Sequence, residues 1–562
     1  MKKTTLFLCL MMAHLLLVGQ QLPDNTQVKW GNEMKFTKKM TLSEVAASDE
    51  TGYYLIKRKY VQEIRESQKL PHVEKYDQNL QFVKSVDLSK LDLPGKPRFE
   101  QLLHWNQQLW LFYSTDPGKG AQEGLYRVAL DPGSLRPIGK SSFVLETGAT
   151  GVKPGIGGLG ISLKATKPLF HFDLVPEQNR LLIVLDNGTL QKNEKQVRFL
   201  VLDQEFSPVW KREETLHASS DELEIVNTRI DSNGNAHLLS KSMPASSGIA
   251  AMFKREKYFF TLVSITDNGK QALHKQIDLR ENQVNAAAIQ VNPDGHLYFG
   301  GFYTHEATAT KGSGGTYFLK MDGTTQTVLE QHIEPFDAAF LTRGLSEGKA
   351  KRKSRKMDSG KSSEDVYFSL DDILIKRDGS VIFLGEDRRE TRTSTTSTSP
   401  NTGVQSTGVR FHYTYGSIVV AEFDPNGERK WAQKLVKNQQ STDDFAFYFS
   451  YSVSMVNDNL YFVFNDNVNN LGYSGQGKVE RFSPKSYKEH MMTFAKLHGQ
   501  GTIIRSSLSM NRNRNLMTIT PVNTQTDEHE MVIYGQHKKT YRLARLEFPP
   551  QYVGSSVGTH VE

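Results

Sequence analysis

Short runs of apolar residues alternate along the chain with polar turns. In the clearest stretch, apolar segments at Leu370 to Ile375 and at Val381 to Leu384 flank the turn Arg377-Asp378-Gly379-Ser380. A second pair of segments, at Ile418 to Phe423 and Trp431 to Leu435, is joined by Pro-Asn-Gly. Apolar β-forming residues bounded by Asp, Asn and Gly predict two successive β-hairpins.

This four-strand unit recurs about eight times, with first strands starting near residues 42, 99, 170, 223, 286, 370, 447 and 502. Repeats of four short strands are typical of β-propellers. We therefore predict an all-β protein, with a single β-propeller domain over residues 21–562 and eight four-stranded blades. Seven blades and an additional hairpin are the alternative. In unit seven, Lys478 to Phe482 and Met491 to Phe494 are the predicted third and fourth strands.

The eighth unit, which begins near Thr502 in this interpretation, lacks a fourth strand. Gln27-Val28-Lys29-Trp30 resembles the predicted fourth strands that contain Trp210 and Trp431. We predict that this N-terminal strand completes the last blade and closes the ring, because closure buries strand edges that would otherwise promote aggregation.

Four insertions interrupt the repeats, at residues 151–166, 241–256, 342–365 and 388–414. Their Gly, Ser, Thr or basic composition predicts mobile surface loops. The first insertion contains Gly155, Gly157, Gly158 and Gly160. A dinucleotide loop needs a helix directly after such glycines, and the residues that follow do not predict one.

The N-terminus has the pattern of a secretory signal peptide. Lys2 and Lys3 precede an apolar run from Leu6 to Val18, and small or polar residues follow. We predict a signal peptide at residues 1–20 and a protein exported to the periplasm, the cell surface or the medium. Cys9 is the only cysteine and lies inside the apolar run, so the mature chain would have no disulfide, thiolate metal site or cysteine nucleophile. No later run predicts a membrane-spanning helix.

The formal net charge of +7 has a local origin. Lys2, Lys3 and six basic residues between Lys349 and Lys356 account for eight positive charges, and the formal charge without them is about −1. A nucleic-acid binder has basic residues along a whole face, so no nucleic-acid partner is predicted. The basic segment Lys349 to Lys356 instead suggests an anionic polymer as a partner, beside an unknown protein or glycan ligand.

The segment from Asp424 to Trp431 resembles the Asp-x-x-Thr-Gly-x-x-x-Trp docking motif of quinoprotein propellers, with one residue fewer and no Thr. The repeats as a whole resemble secreted bacterial propellers with quinoprotein-like or Tyr-Val-Thr-Asn-like repeats. The resemblance implies a propeller fold and leaves the activity open. No cofactor is predicted. Calcium is a possibility at Asp/Asn clusters such as 231–235 and 465–467.

The first strands of a propeller usually line its central channel, so their polar residues are the candidate ligand-binding groups. His171 and Asp173 are two positions apart, so both lie on the same face of the predicted strand, where a histidine and a carboxylate can act together. The candidates in the predicted first strands are His171, Asp173, Arg229, Asp371 and Arg505, together with Asn227, Ser450 and Ser452.

No catalytic signature is found among the residues, and a metal site is not predicted. We therefore expect an exported binding or scaffold module, which presents loops around a rigid ring. The alternative is a channel-site enzyme. A carbohydrate-active hydrolase is the first choice for such an enzyme, and a quinone-dependent oxidoreductase is the second. A pocket with converging carboxylates of perturbed pKa would favour the enzyme.

Overall fold

The structure is a computed structural model and describes most of the chain between residues 22 and 550. The described ranges are 22–36, 40–59, 70–116, 122–147, 170–175, 179–191, 194–217, 223–242, 258–279, 282–305, 314–359, 367–398, 405–473, 475–486, 489–498, 502–508 and 516–550. The predicted signal peptide at residues 1–20 lies outside them.

The described residues form eight antiparallel sheets arranged as the blades of a β-propeller, which confirms the predicted fold and excludes the seven-blade alternative. The N-terminal strands are β1 (Gln27–Trp30) and β2 (Met34–Lys35). Blade 1 is β3 (Met40–Asp49), β4 (Gly52–Lys59), β5 (His72–Tyr76) and β6 (Phe82–Asp87). Blade 2 is β7 (Lys96–Trp105), β8 (Gln108–Asp116), β9 (Gly124–Leu130) and β10 (Pro137–Glu146). Blade 3 is β11 (Phe170–Val175), β12 (Arg180–Gln191), β13 (Glu194–Leu202) and β14 (Pro208–His217).

The next three blades follow the same order, and a helical segment precedes blade 6. Blade 4 is β15 (Leu223–Ile230), β16 (Ala236–Ser242), β17 (Phe259–Thr266) and β18 (Gln271–Ile277). Blade 5 is β19 (Asn282–Val291), β20 (His296–His305), β21 (Gly315–Asp322) and β22 (Val328–Pro335). The helices are α1 (Ala338–Thr342) and α2 (Glu347–Asp358). Blade 6 is β23 (Phe368–Ile375), β24 (Val381–Thr398), β25 (Gln405–Phe423) and β26 (Arg429–Leu435), with β27 (Gln439–Thr442) paired to β25.

The last two blades differ in how they are completed. Blade 7 is β28 (Ser452–Val456), β29 (Asn459–Asn467), β30 (His490–His498) and β31 (Thr502–Ser507). Blade 8 is β32 (Thr524–Asp527), β33 (Glu530–His537), β34 (Thr540–Glu547) and the N-terminal β1, with β2 also paired to β34. The first strands of successive blades contact one another and therefore line the centre of the ring.

The hydrophobic core lies between blades. One cluster joins Leu182 and Trp210 of blade 3 to Ile230 and Leu238 of blade 4. Because each blade exposes two apolar faces, every sheet is stabilised by burying both of them against its neighbours.

The predicted turn chemistry is observed in the hairpins. Asn457 and Asp458, the two residues between β28 and β29, both have positive φ. Two-residue hairpin turns of this type need two left-handed residues, which Asn and Asp tolerate.

The predicted ring closure is confirmed. β1 pairs antiparallel with β34, and Trp30 lies opposite Ala544. Trp30 packs against the cluster that buries Val463 of blade 7 and Ile533 of blade 8. The last blade therefore takes its fourth strand from the other end of the chain.

The predicted register of the last two units is wrong. The segment near Met491 is the third strand of blade 7, and the segment that starts at Thr502 is its fourth strand. Residues 478–482 do not form a long strand. The first strand of blade 8 is Thr524–Asp527, a short polar segment that the apolar pattern did not indicate.

Two of the four predicted mobile loops have regular structure. Residues 342–365 include α2, and residues 388–414 form most of a long ribbon, because β24 and β25 continue their pairing to Thr398 and Gln405. Residues 151–166 and 243–256 lie outside the described residues. Among the described helices, neither has the length and apolar composition needed to cross a membrane.

Candidate functional site

Strand direction places all the long connections at one end of the propeller. Neighbouring strands in a blade are antiparallel, so the turns from first to second and from third to fourth strands lie at one end, the turn face. Connections from second to third strands, and from one blade to the next, lie at the other end, the connection face. The strands that flank each of the four insertions meet it at the connection face, since the insertions join β10 to β11, β16 to β17, β22 to β23 and β24 to β25.

A cavity of about 490 Å³ lies on the connection face where blades 6, 7 and 8 meet. Its volume is in the range of small-molecule sites, which is about 300–1,000 Å³. Charged, hydroxyl, amide and apolar side chains line it. They are Leu370, Asp371, Asp372, Leu384, Arg388, Ser450, Tyr451, Ser452, Val453, Thr520 and Asn523.

A β-bulge brings two adjacent carboxylates to the cavity. In a regular strand, consecutive side chains point to opposite faces. The pairing of β23 with β24 shifts register between Leu370 and Asp372, which leaves Asp371 as an extra residue. Bulges redirect side chains in this way, and both Asp371 and Asp372 line the cavity.

Arg388 holds the charged groups of the cavity together. Its Nε lies 2.6 Å from Glu386 Oε2, and its Nη2 lies 3.1 Å from Asp371 Oδ1. Nη2 also donates a 3.0 Å hydrogen bond to Ser450 Oγ. Behind the cavity, the fully buried Lys437 makes an ion pair with Glu386. The network is anchored in the core at Glu386 and reaches solvent at Arg388, whose side chain is 36% exposed.

Burial perturbs both carboxyl groups. Burial raises the pKa of Asp371 above its ordinary value, and the guanidinium of Arg388 opposes that shift. Burial likewise raises the pKa of Asp372, against the lowering effect of Arg229 from blade 4. A carboxyl of raised pKa in a cavity is a common property of functional sites.

Ser450 is held in an unusual backbone conformation. Its φ is +72°, which is rare for a residue other than Gly. Its N–H donates a 2.9 Å hydrogen bond to Gln439 Oε1, and its Oγ donates one of 2.9 Å to Glu386 Oε2. Such conformations persist where the surroundings over-determine them, which is frequent at binding sites.

His171 and Asp173 lie on the innermost strand of blade 3, as predicted, but have different neighbours. Burial lowers the pKa of His171, and the charge of Asp186 opposes this shift. Asp173 accepts a 2.8 Å hydrogen bond from the N–H of Ile230 in blade 4. The described residues therefore give no hydrogen-bonded histidine–carboxylate pair at this position.

Arg229 and its neighbours join adjacent blades. Its Nε donates a 2.8 Å hydrogen bond to Gln290 Oε1 of blade 5. Asn227 exchanges hydrogen bonds with the backbone of Ile289, and Gln525 does the same with Met455. Polar side chains of the first strands thus satisfy the backbone of an adjacent blade, which is a structural role.

Arg505 does not lie in the channel, contrary to its predicted place on a first strand. It belongs to β31, the fourth strand of blade 7, because the predicted register of that unit is wrong. Its Nη1 donates a 3.0 Å hydrogen bond to Asp466 Oδ2, and its side chain is 4% exposed. Arg505 therefore forms a buried ion pair with Asp466, which is a structural role.

An Asp–His–Ser set occurs in blade 4 but is closed to solvent. His237 Nδ1 lies 2.9 Å from Ser264 Oγ, and its Nε2 lies 3.5 Å from Asp231 Oδ2. His237 and Ser264 are 0% exposed. Gln326 also donates to Ser264 Oγ, so this hydroxyl is part of the core and cannot reach a substrate.

The predicted calcium and quinoprotein motifs lie in turns and in the core. Asp231 Oδ1 accepts the N–H groups of Asn233 and Asn235. No group of three or more potential metal-ligating His, Cys, Asp or Glu side chains is found in the part of the chain that the structure describes. Asp424 begins the turn between β25 and β26, and this turn lies on the turn face, away from the cavity.

Sequence reasoning found Asp371, Ser450 and Ser452 but missed the residue that organises them. Arg388 was assigned to a Ser/Thr-rich loop, although it follows directly on the apolar run of β24. The consecutive acids Asp371-Asp372 inside a first strand were a usable signal, because a regular strand places one of two such residues in the apolar face.

No protein-family model matches the chain, and no curated protein matches it. Among solved structures, the Dos1 propeller is similar with a TM-score of 0.40 and 7% identity, covering 93% of this chain and 96% of that one. The WD40 domain of SCAP from fission yeast has a TM-score of 0.35 and 9% identity, covering 93% and 94%. The polysaccharide lyase Uly1 has a TM-score of 0.35 and 8% identity, covering 93% and 100%. Likenesses this distant carry no argument about activity.

Proposed function

We propose that the protein is a binding module that takes a hydroxyl-rich ligand, a sugar unit or a short oligosaccharide, in the cavity between blades 6, 7 and 8. The observation that carries the proposal is the lining of this cavity. Carboxylate, guanidinium and hydroxyl groups from adjacent blades converge there beside Tyr451. Sugars are bound by hydrogen bonds to such groups and by contact with an aromatic ring.

The pairing of the charged groups favours binding over chemistry. Asp371 and Glu386 both face Arg388, and Glu386 also faces Lys437. Asp371, which lines the cavity, is thereby held as an oriented acceptor for ligand hydroxyls, while the buried Glu386 fixes the position of Arg388. The charged groups Asp371, Asp372 and Arg388 stand on strands rather than loops, so little ordering of them is needed when a ligand enters.

A second function, acid–base hydrolysis of a glycosidic bond, is supported by one observation. The pKa values of Asp371 and Asp372 are raised by burial. A carboxyl of raised pKa keeps its proton at a higher pH, so it can act as a general acid. The quinone-dependent alternative has less support, since its motif lies on the turn face.

Binding is tested by screening the purified protein on an array of neutral mono- and oligosaccharides and measuring the best ligand by calorimetry. We expect Asp372→Asn to lower the affinity for that ligand about tenfold, since a charged acceptor is replaced by a neutral one. The matched control is Asp294→Asn, the same substitution at an exposed turn-face residue, and it should leave the affinity unchanged. Absence of any binding sugar, or equal losses in both variants, would overturn the proposal.

The same ligands separate binding from hydrolysis. Release of a new reducing end, abolished in Asp371→Asn while the sugar still binds, would establish the enzyme. Intact ligand after long incubation with the wild-type protein supports the binding module.

We also propose that this binding occurs outside the cytoplasm, on the strength of the N-terminal sequence pattern from Lys2 to Gly19. Mass spectrometry of the protein recovered from the medium or the periplasm checks this. The expected N-terminus is near Gln20, and recovery of an intact Met1 from the cytoplasm alone would contradict it.

A further inference from the structure

Helix α2 presents a face made almost wholly of cations. Its twelve residues include six basic ones, which are Lys349, Lys351, Arg352, Lys353, Arg355 and Lys356. Lys349, Lys351, Arg352 and Arg355 are exposed. Helical spacing places Lys349, Arg352, Lys353 and Lys356 on one side, and Lys351 with Arg355 next to them.

The cations of α2 oppose one another. Pairs three or four residues apart are neighbours on a helix, and like charges at that spacing destabilise it. Lys349 has such neighbours in Arg352 and Lys353, and Arg352 has them in Arg355 and Lys356. Lys351 and Glu347 form an opposite pair at this spacing, at 2.7 Å. The neighbouring like charges of Lys349, Arg352 and Arg355 therefore favour the approach of negative charge to this face.

The other side of α2 is anchored to the propeller. Met357 packs against the aromatic cluster formed by Phe302, Phe336, Phe340 and Phe368. This packing fixes α2 to the propeller, so the positions of its cations are fixed as well. Its apolar residues are directed inward, whereas a helix that lies in a lipid surface keeps an apolar face free for the acyl region.

The ribbon next to α2 also carries exposed cations. Burial raises the pKa of Asp387, and the positive charge of Lys353 opposes this shift and lowers the pKa of Lys434 in blade 6. Burial, reinforced by Lys353, lowers the pKa of Lys434 to about 7. Arg389 lies 3.6 Å from Asp387 on the same ribbon. Arg410, opposite Thr393, shares the ribbon face of Arg389 and is exposed.

We propose that α2 and the adjoining face of the β24–β25 ribbon bind an acidic polysaccharide through its carboxylate or sulfate groups. Cations spread over about two helical turns and continued along a ribbon match a linear chain of charges better than a single small anion. The choice of a sugar polymer over other polyanions rests on the proposed function, because the sugar-binding cavity lies on the same connection face. A membrane and a nucleic acid are the competing partners that the test must separate.

The test measures binding of a fluorescein-labelled oligogalacturonate by anisotropy, in low salt of about 0.05 M and in about 0.5 M salt, where charges are strongly screened. The helix variant is Lys349→Gln, Arg352→Gln and Arg355→Gln, since Gln preserves helix propensity. The matched control is Lys140→Gln, Lys211→Gln and Lys539→Gln, three exposed lysines outside α2 with the same loss of charge.

The expected result is a loss of affinity of about tenfold or more in the helix variant, none in the control, and strong weakening by salt in the wild type. Equal affinity of the helix variant and the wild type would overturn the proposal. So would tighter binding to a thymidine oligonucleotide, or to vesicles of equimolar phosphatidylcholine and phosphatidylglycerol, than to oligogalacturonate.

Binding of neutral sugars in the cavity serves as the separate readout. A protein that binds oligogalacturonate through α2 but no neutral sugar would overturn the proposed cavity and leave the helix proposal standing. A protein that binds neutral sugars, but oligogalacturonate no better in low salt than in high salt, would overturn the helix proposal alone.

Discussion

The buried ion pair between Lys57 and Glu74 offers a quantitative test of the seam between blades 1 and 8. Lys57 Nζ lies 2.6 Å from Glu74 Oε1, and the two side chains are 7% and 3% exposed. Glu74 Oε2 accepts hydrogen bonds from the hydroxyls of Tyr76, at 2.8 Å, and of Tyr541 in blade 8, at 3.3 Å. Lys57→Met removes the cation and leaves a carboxylate in the core with two neutral donors.

Breaking a buried ion pair on one side costs about 3–5 kcal/mol, because the remaining charge has lost its compensation. We expect Lys57→Met to lower the free energy of unfolding by about that amount at pH 7. Adding Glu74→Gln should recover most of the loss, since Gln still accepts from the two tyrosines. The surface pair Lys29–Glu547 is the control, with a similar nitrogen–oxygen distance of 2.8 Å but with Lys29 56% exposed.

Urea unfolding followed by fluorescence and circular dichroism measures these free energies, provided that both probes give one transition. Lys29→Met should cost less than about 1 kcal/mol, as exposed pairs do. A cost below about 1 kcal/mol for Lys57→Met as well, or a double variant no more stable than Lys57→Met, would refute the reasoning.

Three further predictions concern the core, the connections and the closure. Lys434→Met should stabilise the protein by about 1–3 kcal/mol at pH 7, because burial lowers the pKa of Lys434 to about 7 and the folded state disfavours its charge. The gain should be complete below pH 7 and fade towards pH 10.5, where the unfolded lysine also loses its proton; a pH-independent gain would contradict this. Gly300→Ala should cost about 1–3 kcal/mol, since its Cβ would lie 1.9 Å from the Phe383 ring, whereas Gly348→Ala in α2 meets no atom within 4 Å and should raise the thermal midpoint slightly. Trp30→Ala should cost about 2 kcal/mol, because this half-buried side chain packs between blades 7 and 8, and an unchanged urea midpoint would argue against closure by β1.

The repeat pattern predicted the blades because hairpin turns and apolar strands leave local signals. Trp30, Trp210 and Trp431 also revealed the closure, since all three lie on fourth strands. The pattern failed where local signals are weak. The first strand of blade 8, Thr524–Asp527, has no apolar residue, and its pairing with β33 rather than its own composition makes it a strand.

The candidate site could be predicted only in part, because it depends on contacts between blades. Asp371 and Ser450 were identified from their places near first strands. Arg388 connects them only because β23 has a bulge and because a Ser/Thr-rich segment folds as a ribbon. Neither feature produces a periodic pattern of apolar residues in the sequence. The expected mobile loop at Lys349 to Lys356 became a helix because Met357 has an aromatic cluster to pack against.

Closure by the N-terminal strand has a consequence for synthesis in the cell. Lys29 and its partner Glu547 are separated by 518 positions. At ribosomal speeds of about 5–20 residues per second, the first strand is made roughly half a minute to two minutes before β34 exists. Until then β1 has no partner strand, and the blades can stack only as an open arc. Ring formation is therefore a post-translational event, and holdase chaperones that shield exposed strands should determine how much of the newly made chain reaches the closed form.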